Sequence, residues 1–175
     1  MIMVKQHLEG ILSKTLKYVQ TSYPEYNIWY MKIQNNPLAH KQTPADFIVL
    51  SKDNNTLIEC KETKTDRFTF NRITQEVELD IFSKIQDRNK SFLLICFWDK
   101  RLKSSDIYLI DIKEFKKFKI AFNKQSITRA EAQKLWAMFK VNIYTKANIL
   151  VIRNIYDNSP HYIKCSYDSR YFSNI

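Results

Sequence analysis

The pattern of apolar and polar positions along the chain predicts four helices. Apolar residues recur at helical spacing from Val4 to Val19, which predicts an amphipathic first helix that ends near Ser22–Pro24. A second helix, capped by Asn71, is predicted to run to about Arg88. The apolar stripe along it consists of Ile73, Val77, Ile81 and Ile85. Shorter helices are predicted near Lys113–Lys119 and at Thr128–Phe139.

Runs rich in β-branched and aromatic residues predict the strands. These runs are Asn27–Ile33, Asp46–Leu50, Thr56–Lys61, Ser91–Trp98 and Asp106–Ile112, with others near Asn148–Arg153 and Tyr162–Tyr167. The turn-type residues Ser51–Asn55 join the second and third runs into a predicted hairpin. The order of helices and strands predicts an α/β (or α+β) fold, a mixed sheet with a layer of helices on each side.

Length and composition favour one folded domain over residues 1–175. No repeat, linker or low-complexity tract interrupts the sequence, and 45 % of the residues are hydrophobic, which argues against disorder. No apolar run approaches the roughly 20 residues of a membrane span, and no signal peptide is recognised, so no membrane partner is expected. Three scattered cysteines suit a reducing compartment. We therefore expect a cytoplasmic protein, associated with the nucleoid or, if phage-encoded, in the host cytoplasm.

The glycine content and the net charge limit the classes of function that this protein can have. The single glycine, Gly10, cannot build a Gly-rich phosphate loop, so classical nucleotide-binding enzymes are excluded. The formal net charge of +10 makes a polyanion the first partner to consider.

The predicted hairpin places two carboxylates opposite each other. If Ser51 pairs with Asn54 across the turn, Asp46 faces Glu59. Opposed carboxylates in an apolar hairpin repel each other and require a compensating cation. Lys61 lies on the same face as Glu59 and supplies one charge, and a divalent metal such as Mg²⁺ or Mn²⁺ would supply the rest.

A surface ion pair is the alternative interpretation, because E-x-K is a common tripeptide. The chain contains three, at Glu59–Lys61, Glu62–Lys64 and Glu114–Lys116. Only the first lies in an apolar strand that follows an aspartate-bearing strand. On spacing alone, the metal site and the surface ion pair both remain open.

The D-x12-E-x-K pattern on a hairpin resembles that of the PD-(D/E)XK nuclease superfamily, with its restriction-endonuclease-like core. The longer run resembles the RecU-type Holliday junction resolvases, in collinear order over roughly residues 43 to 128. The matching segments are I-E-C-K-E-T-K at Ile58–Lys64, Phe68–Phe70, Gln75, F-L-L-I-C-F at Phe92–Phe97, Ile107–Ile110 and K-Q-S-I at Lys124–Ile127.

The resemblance implies a role for each matching residue. Asp46 and Glu59 would hold Mg²⁺, with Glu9 on the first helix completing the ligand set. Lys61 would act on the attacking water or the phosphate, and Gln75 would lie beside the site. The candidate DNA contacts are Lys64, Arg67, Arg72, Lys41 and Lys124.

The chain departs from the family pattern in three places. Pro44 occupies the position of a threonine, Gln125 lengthens the serine-bearing tripeptide, and residues 34–43 are short where the family carries a protruding stalk.

The resulting hypothesis is a Mg²⁺-dependent endonuclease that resolves four-way DNA junctions in recombination and repair by paired nicks. Because paired nicks need two active sites related by two-fold symmetry, a homodimer is expected. Two alternatives are a restriction-type or nicking nuclease on other DNA, and a basic DNA-binding module without turnover.

Overall fold

The structure is a computed structural model that describes residues 8–34, 42–99, 104–144 and 149–151. In chain order the elements are α1 (Leu8–Ser22), β1 (Trp29–Lys32), β2 (Phe47–Leu50), β3 (Asn55–Thr63), β4 (Arg67–Thr69), α2 (Glu76–Ile85), β5 (Asn89–Asp99), β6 (Ser104–Asp111), α3 (Ile112–Phe122), β7 (Ser126–Thr128), α4 (Arg129–Leu135), β8 (Lys140–Tyr144) and β9 (Ile149–Val151). Short 3₁₀ helices cover Pro24–Tyr26, Phe70–Arg72 and Ala137–Phe139.

The main sheet has seven strands in the order β1-β2-β3-β5-β6-β8-β9. The pair β3 and β5 is parallel, and every other neighbouring pair is antiparallel. The parallel pair requires a crossover, which contains α2. A second, two-stranded sheet pairs β4 with β7. The predicted fold class, a mixed sheet flanked by helices, is confirmed.

Helices cover both faces of the main sheet. On one face, the apolar stripe of α1 packs against alternate residues of β2, β3, β5 and β6. Thr15 on α1 also accepts a hydrogen bond from the Leu150 backbone of β9, at 2.7 Å from Oγ1 to N. On the other face, α2, α3 and α4 cover a second core with Trp136 at its centre. The rings around Trp136 include Phe70, Tyr108 and Phe115, with centroids 5.8 to 6.4 Å away.

The second helix differs from its prediction in start and in orientation. It begins at Glu76, because Asn71 lies in the 3₁₀ turn that buries Phe70. Only Ile73 of the predicted stripe is buried, and it precedes the helix. Val77, Ile81 and Ile85 are 65, 57 and 63 % exposed. Leu79 and Ser83 are the buried positions of α2 instead.

Ion pairs with α3 account for this orientation. Asp80 lies 2.7 Å from Lys116 Nζ, and Glu76 lies 2.7 Å from Lys119 Nζ. These contacts turn the Glu76 and Asp80 side of α2 toward α3 and leave the aliphatic stripe on the outside. Isolated helical periodicity contains no information about such partners.

Other predictions are confirmed in position but not in extent. The third helix reaches Phe122, and the fourth divides into α4 and a 3₁₀ turn. Phe115 and Phe118 pack on the core, whereas Phe122 is 50 % exposed. Strands β4, β7 and β8 were not predicted. The predicted strand at Tyr162–Tyr167 lies outside the described residues.

No helix in the described ranges combines the length and the hydrophobicity that a bilayer span requires.

Candidate functional site

The β2–β3 hairpin has the register that the sequence predicts. Ser51 N donates to Asn54 O at 2.8 Å and closes the turn, so Leu50 pairs with Asn55 and Phe47 with Ile58. At the next position the pairing shifts by one residue, because Asp46 N donates at 3.1 Å to the carbonyl of Ile58, the residue that pairs with Phe47. The predicted direct opposition of Asp46 and Glu59 is therefore not kept at the open end of the hairpin, but the two carboxylates lie close enough to interact.

Backbone hydrogen bonds hold Asp46 in place. Its Oδ2 accepts a hydrogen bond from Cys60 N at 2.7 Å, and its carbonyl accepts one from Ile33 N at 2.7 Å. The first bond ties the carboxylate to β3, and the second ties the main chain to the end of β1. The aspartate is thus oriented by backbone hydrogen bonds from two neighbouring segments.

Glu59 is the most deeply buried acidic side chain of this region, at 2 % exposed. Its Oε1 accepts a hydrogen bond from Lys61 Nζ at 2.5 Å. Its Oε2 is buried and has no hydrogen-bond partner among the residues that the structure describes. An unpartnered carboxylate oxygen at such depth is costly, so the geometry calls for a further cation.

The pKa values of both carboxylates reflect this burial. Burial, followed by the negative charge of Asp46, raises the pKa of Glu59 to about 7, and the Lys61 ammonium opposes the rise. Burial also raises the pKa of Asp46, against the lowering effect of the Cys60 N–H. Without a bound cation, the pair competes for one proton near neutral pH.

The buried side chain of Cys60 lies close to several carboxylates. Burial, followed by the charges of Asp46, Glu9, Glu59 and Glu62, raises the pKa of its thiol well above the usual value. The thiol is therefore protonated at neutral pH. Four carboxylates from α1, β2 and β3 thus act on a single buried side chain.

The donor set fits a hard divalent cation in part. Asp46 and the unpartnered oxygen of Glu59 are carboxylate ligands of the kind that Mg²⁺ and Mn²⁺ accept. Among the described residues, however, no three acidic, histidine or cysteine side chains are grouped closely enough to form a complete ligand set. The two hairpin carboxylates are in position, and a third protein ligand is not.

Glu9, the predicted third ligand, is near the site but engaged elsewhere. It lies in the first turn of α1, and its Oε2 is 2.7 Å from Lys32 Nζ on β1. This contact raises the pKa of Lys32. The charge of Glu9 also contributes to the raised pKa of Asp46, so the two acids lie within electrostatic reach of each other. Metal ligation by Glu9 remains a prediction.

A cleft of about 730 Å³ opens beside the hairpin end. Four of the residues that line it are cationic, Lys61, Lys64, Arg67 and Arg72, and two are acidic, Glu9 and Glu62. The remainder are Cys60, Thr63, Thr65 and Thr69. Cations and hydroxyls in this proportion form a surface suited to a phosphodiester backbone.

Two of the predicted DNA contacts are held in defined positions in this cleft. Arg67 Nη1 donates to Ser126 Oγ at 2.8 Å, across the small β4–β7 sheet. Arg72 Nη2 donates to Glu62 O at 2.7 Å, and its guanidinium lies over the Phe68 ring, 5.4 Å from the centroid. Each guanidinium group uses one of its N–H groups in these hydrogen bonds and has others that can donate to a ligand.

The other predicted contacts are placed differently. Lys64 lines the cleft. Lys124 forms an ion pair with Glu131 and is not among the lining residues of the cleft. Lys41 and most of the predicted stalk at residues 34–43 lie outside the described residues.

Gln75 is buried at the start of α2, and its Oε1 accepts a hydrogen bond from Thr74 Oγ1 at 3.1 Å. In the described part of the chain, no hydrogen bond joins it to Asp46, Glu59 or Lys61. Its role at the site stays a prediction.

Lys32 and the cleft hydroxyls were missed by the sequence analysis. Lys32 pairs with Phe47 in the β1–β2 register and so lies next to the catalytic aspartate of the hypothesis. Only the strand pairing indicates this, because the residues of β1 that precede it are ordinary apolar ones. The threonines could have been found from their alternation along the E-x-K-x-T run.

The sequence matches no protein-family model and no curated protein. Among solved structures, it is similar to the 1.6 Å structure of Hjc from Archaeoglobus fulgidus, a Holliday junction resolvase from an archaeal hyperthermophile. The identity is 8 %, the TM-score is 0.36, and the match covers 58 % of this chain and 77 % of that one. A likeness this distant does not assign a function.

Burial of Glu59 predicts a pH-dependent stability. Because its pKa rises from 4.5 to about 7, the folded protein holds the proton more tightly, and stability falls as pH rises through this window. Without metal, Glu59→Gln should therefore be more stable than wild type at pH 8, by on the order of 1–3 kcal/mol. The difference should vanish below pH 4.5. Urea unfolding in EDTA at several pH values measures both.

Asp53→Asn, a change at an exposed position of the hairpin turn, is the control and should leave the pH profile unchanged. Mg²⁺ should stabilise wild type and not Glu59→Gln, since only the native carboxylate gains a ligand. Lower stability of Glu59→Gln than of wild type at pH 8 would contradict the electrostatic account.

Proposed function

We propose that this protein is a metal-dependent endonuclease that hydrolyses phosphodiester bonds in DNA. The observation that supports this most strongly is the pair formed by half-buried Asp46 and buried Glu59. Lys61 Nζ lies 2.5 Å from Glu59 Oε1, and Glu59 Oε2 has no hydrogen-bond partner among the described residues. A pair that costs folding energy on its own is explained by a ligand that compensates it. Divalent cation and phosphate together provide such a ligand.

The two carboxylates and Lys61 have different roles in the proposed chemistry. Asp46 and Glu59 would hold Mg²⁺, which when bound supplies Lewis acidity at a phosphoryl oxygen. Lys61 is held by Glu59 at the edge of the cleft, where its ammonium stabilises the negative charge that develops on the phosphate. Glu9 is the candidate further ligand and Gln75 a candidate positioning residue.

The cleft provides a path for the DNA backbone next to these groups. Lys64, Arg67 and Arg72 lie along it. The alternative basic surface on α3 is less available, because Lys116, Lys117 and Lys119 pair with Asp80, Glu114 and Glu76. Phosphate contacts at the cleft would give affinity without reading base sequence.

The proposed substrate is a four-way DNA junction. The support is the collinear resemblance of residues 43 to 128 to RecU-type resolvases, which includes the hairpin carboxylates and Lys61. A restriction-type or nicking nuclease on other DNA keeps the same site and changes only the substrate. A binding module without turnover is disfavoured, because such a protein has no reason to bury two adjacent carboxylates.

Incubation with a synthetic four-way junction and a matched linear duplex, each with and without Mg²⁺, tests the function. Cleavage of the junction alone, and only with Mg²⁺, is expected. Cleavage of both substrates would favour the nicking enzyme, and binding without cleavage would favour the module.

Substitutions at the carboxylates and the lysine should abolish cleavage. Asp46→Asn, Glu59→Gln and Lys61→Ala each remove a metal ligand or a cation from the site, which should lower the rate by on the order of 100-fold or more. Gel-shift affinity for the junction should persist. Lys52→Ala, at the opposite end of the same hairpin, is the matched control and should cleave normally. Normal cleavage by Glu59→Gln would sink the assignment.

Loss of cleft cations should weaken binding to all DNA sequences alike. Lys64→Ala with Arg67→Ala should flatten the dependence of log K on log salt by roughly one unit per lost phosphate contact. Fluorescence anisotropy over a salt series measures the slope, with Lys52→Ala again as control. An unchanged slope in the double variant would move the DNA path away from this cleft.

The proposed working unit is a homodimer, because resolving a junction needs one nick on each of two opposed strands. Light scattering should report about 42 kDa, twice the 21.0 kDa chain mass. On a junction held in a small plasmid, both nicks should appear within the lifetime of one complex. A monomer that still prefers junctions over duplex would refute the paired mechanism and leave the nuclease assignment intact.

A further inference from the structure

Lys32 occupies a distinctive place at the edge of the candidate site. It ends β1, pairs with Phe47 in the β1–β2 register, and is followed by Ile33, whose N–H donates to Asp46 O. Because Phe47 packs in the core beneath α1, the Lys32 side chain projects toward α1 as well. The strand thus brings a cation to the side of the hairpin where Glu9 lies.

The ammonium of Lys32 meets Glu9 directly. The distance from Lys32 Nζ to Glu9 Oε2 is 2.7 Å, and the two side chains are 51 % and 36 % exposed. Both Lys32 and Glu9 also act electrostatically on Asp46 and on the Cys60 thiol. The pair therefore belongs to the same charge network as the hairpin carboxylates.

Two lysines divide the acids of this network between them. Lys61 contacts Glu59 Oε1, and Lys32 contacts Glu9, which lines the same cleft as Lys61. The Glu59 side chain is 2 % exposed, and its Oε2 has no hydrogen-bond partner among the described residues. With Glu9 at Lys32, the described ranges contain no group of three acids close enough to hold a metal ion.

We propose that Lys32 is a positioning residue that competes with the divalent cation for Glu9 and thereby sets the metal affinity of the site. The inference rests on the proposed metal-dependent function. With Glu9 held by Lys32, a metal ion finds two hairpin carboxylates. It gains the third only when the lysine withdraws.

The exposure of the pair makes this exchange feasible. An ion pair whose partners are both more than a third exposed is weakly held, because water solvates either partner after separation. The flexible four-carbon stem of lysine lets the ammonium move into solvent without a change in the backbone. A divalent cation attracts the carboxylate more strongly than the single charge that it displaces.

Titration of the metal-free protein with Mn²⁺, with free ion measured by EPR, tests the proposal. Lys32→Met should bind Mn²⁺ on the order of tenfold more tightly than wild type, because a competing positive charge is gone. Lys32→Arg keeps the charge and should remain near wild type. Lys14→Met, which removes an exposed charge from α1, is the matched control and should change affinity by less than about twofold.

A double-variant cycle shows whether the effect passes through Glu9. In a Glu9→Gln background, Lys32→Met should give no further gain in Mn²⁺ affinity. In cleavage assays, Lys32→Met should lower the half-saturating metal concentration and leave the rate at saturating metal unchanged. Thermal melting of the metal-free variants confirms that each is folded.

The proposal is overturned if Lys32→Met and wild type bind Mn²⁺ equally, if Lys14→Met tightens binding as much, or if the gain persists without Glu9. A different result would contradict the proposed function itself. If wild type neither binds Mn²⁺ nor cleaves the junction, both the endonuclease function and the role of Lys32 are refuted. Wild-type cleavage with unaltered affinity in Lys32→Met refutes the role of Lys32 alone.

Discussion

The repulsion between two carboxylates at the open end of a buried hairpin is the constraint on which this structure depends. Asp46 and Glu59 are brought together by the β2–β3 register, and burial raises the pKa of both. The fold responds with cations and N–H groups around them, from Lys61 and the Cys60 backbone. Glu59 Oε2 is buried and has no hydrogen-bond partner within the described residues. Its burial therefore lowers the folding stability, and a bound cation would offset this loss.

The rest of the molecule supports this end of the sheet from two sides. The α1 core fixes the helix that carries Glu9, and the aromatic core around Trp136 supports the elements that border the cleft. The small β4–β7 sheet carries Arg67 to Ser126, and Arg129 N donates to Asp66 O at 2.6 Å, which ties α4 to the loop bearing Lys64. Rigid packing behind the cleft is what keeps its cations close to the carboxylates.

Sequence reasoning succeeded where the deciding interactions are local. The turn at Ser51–Asn55 sets the hairpin register as far as the Phe47–Ile58 pair, so the closeness of Asp46 and Glu59 followed from counting residues, although the pairing shifts by one at Asp46. It failed where the structure depends on the rotation of a helix about its axis or on a partner that is distant in the sequence. The predicted stripe repeats every four residues, yet Val77 and Ile81 are exposed, and the Glu76 and Asp80 side of α2 faces α3 through ion pairs. The small β4–β7 sheet was also missed, since pairing of segments distant in sequence forms it.

The sequence by itself determined the class of fold and the position of Lys61 two residues after Glu59, because strand alternation and a short turn act over a few residues. Only the tertiary structure decided which acid each lysine meets. Lys32 contacts Glu9 because β1 is the edge strand and the Lys32 side chain lies on the face of the sheet that α1 covers. Lys124 contacts Glu131 and does not line the cleft. Ion pairs between elements depend on packing in three dimensions, which no local pattern encodes.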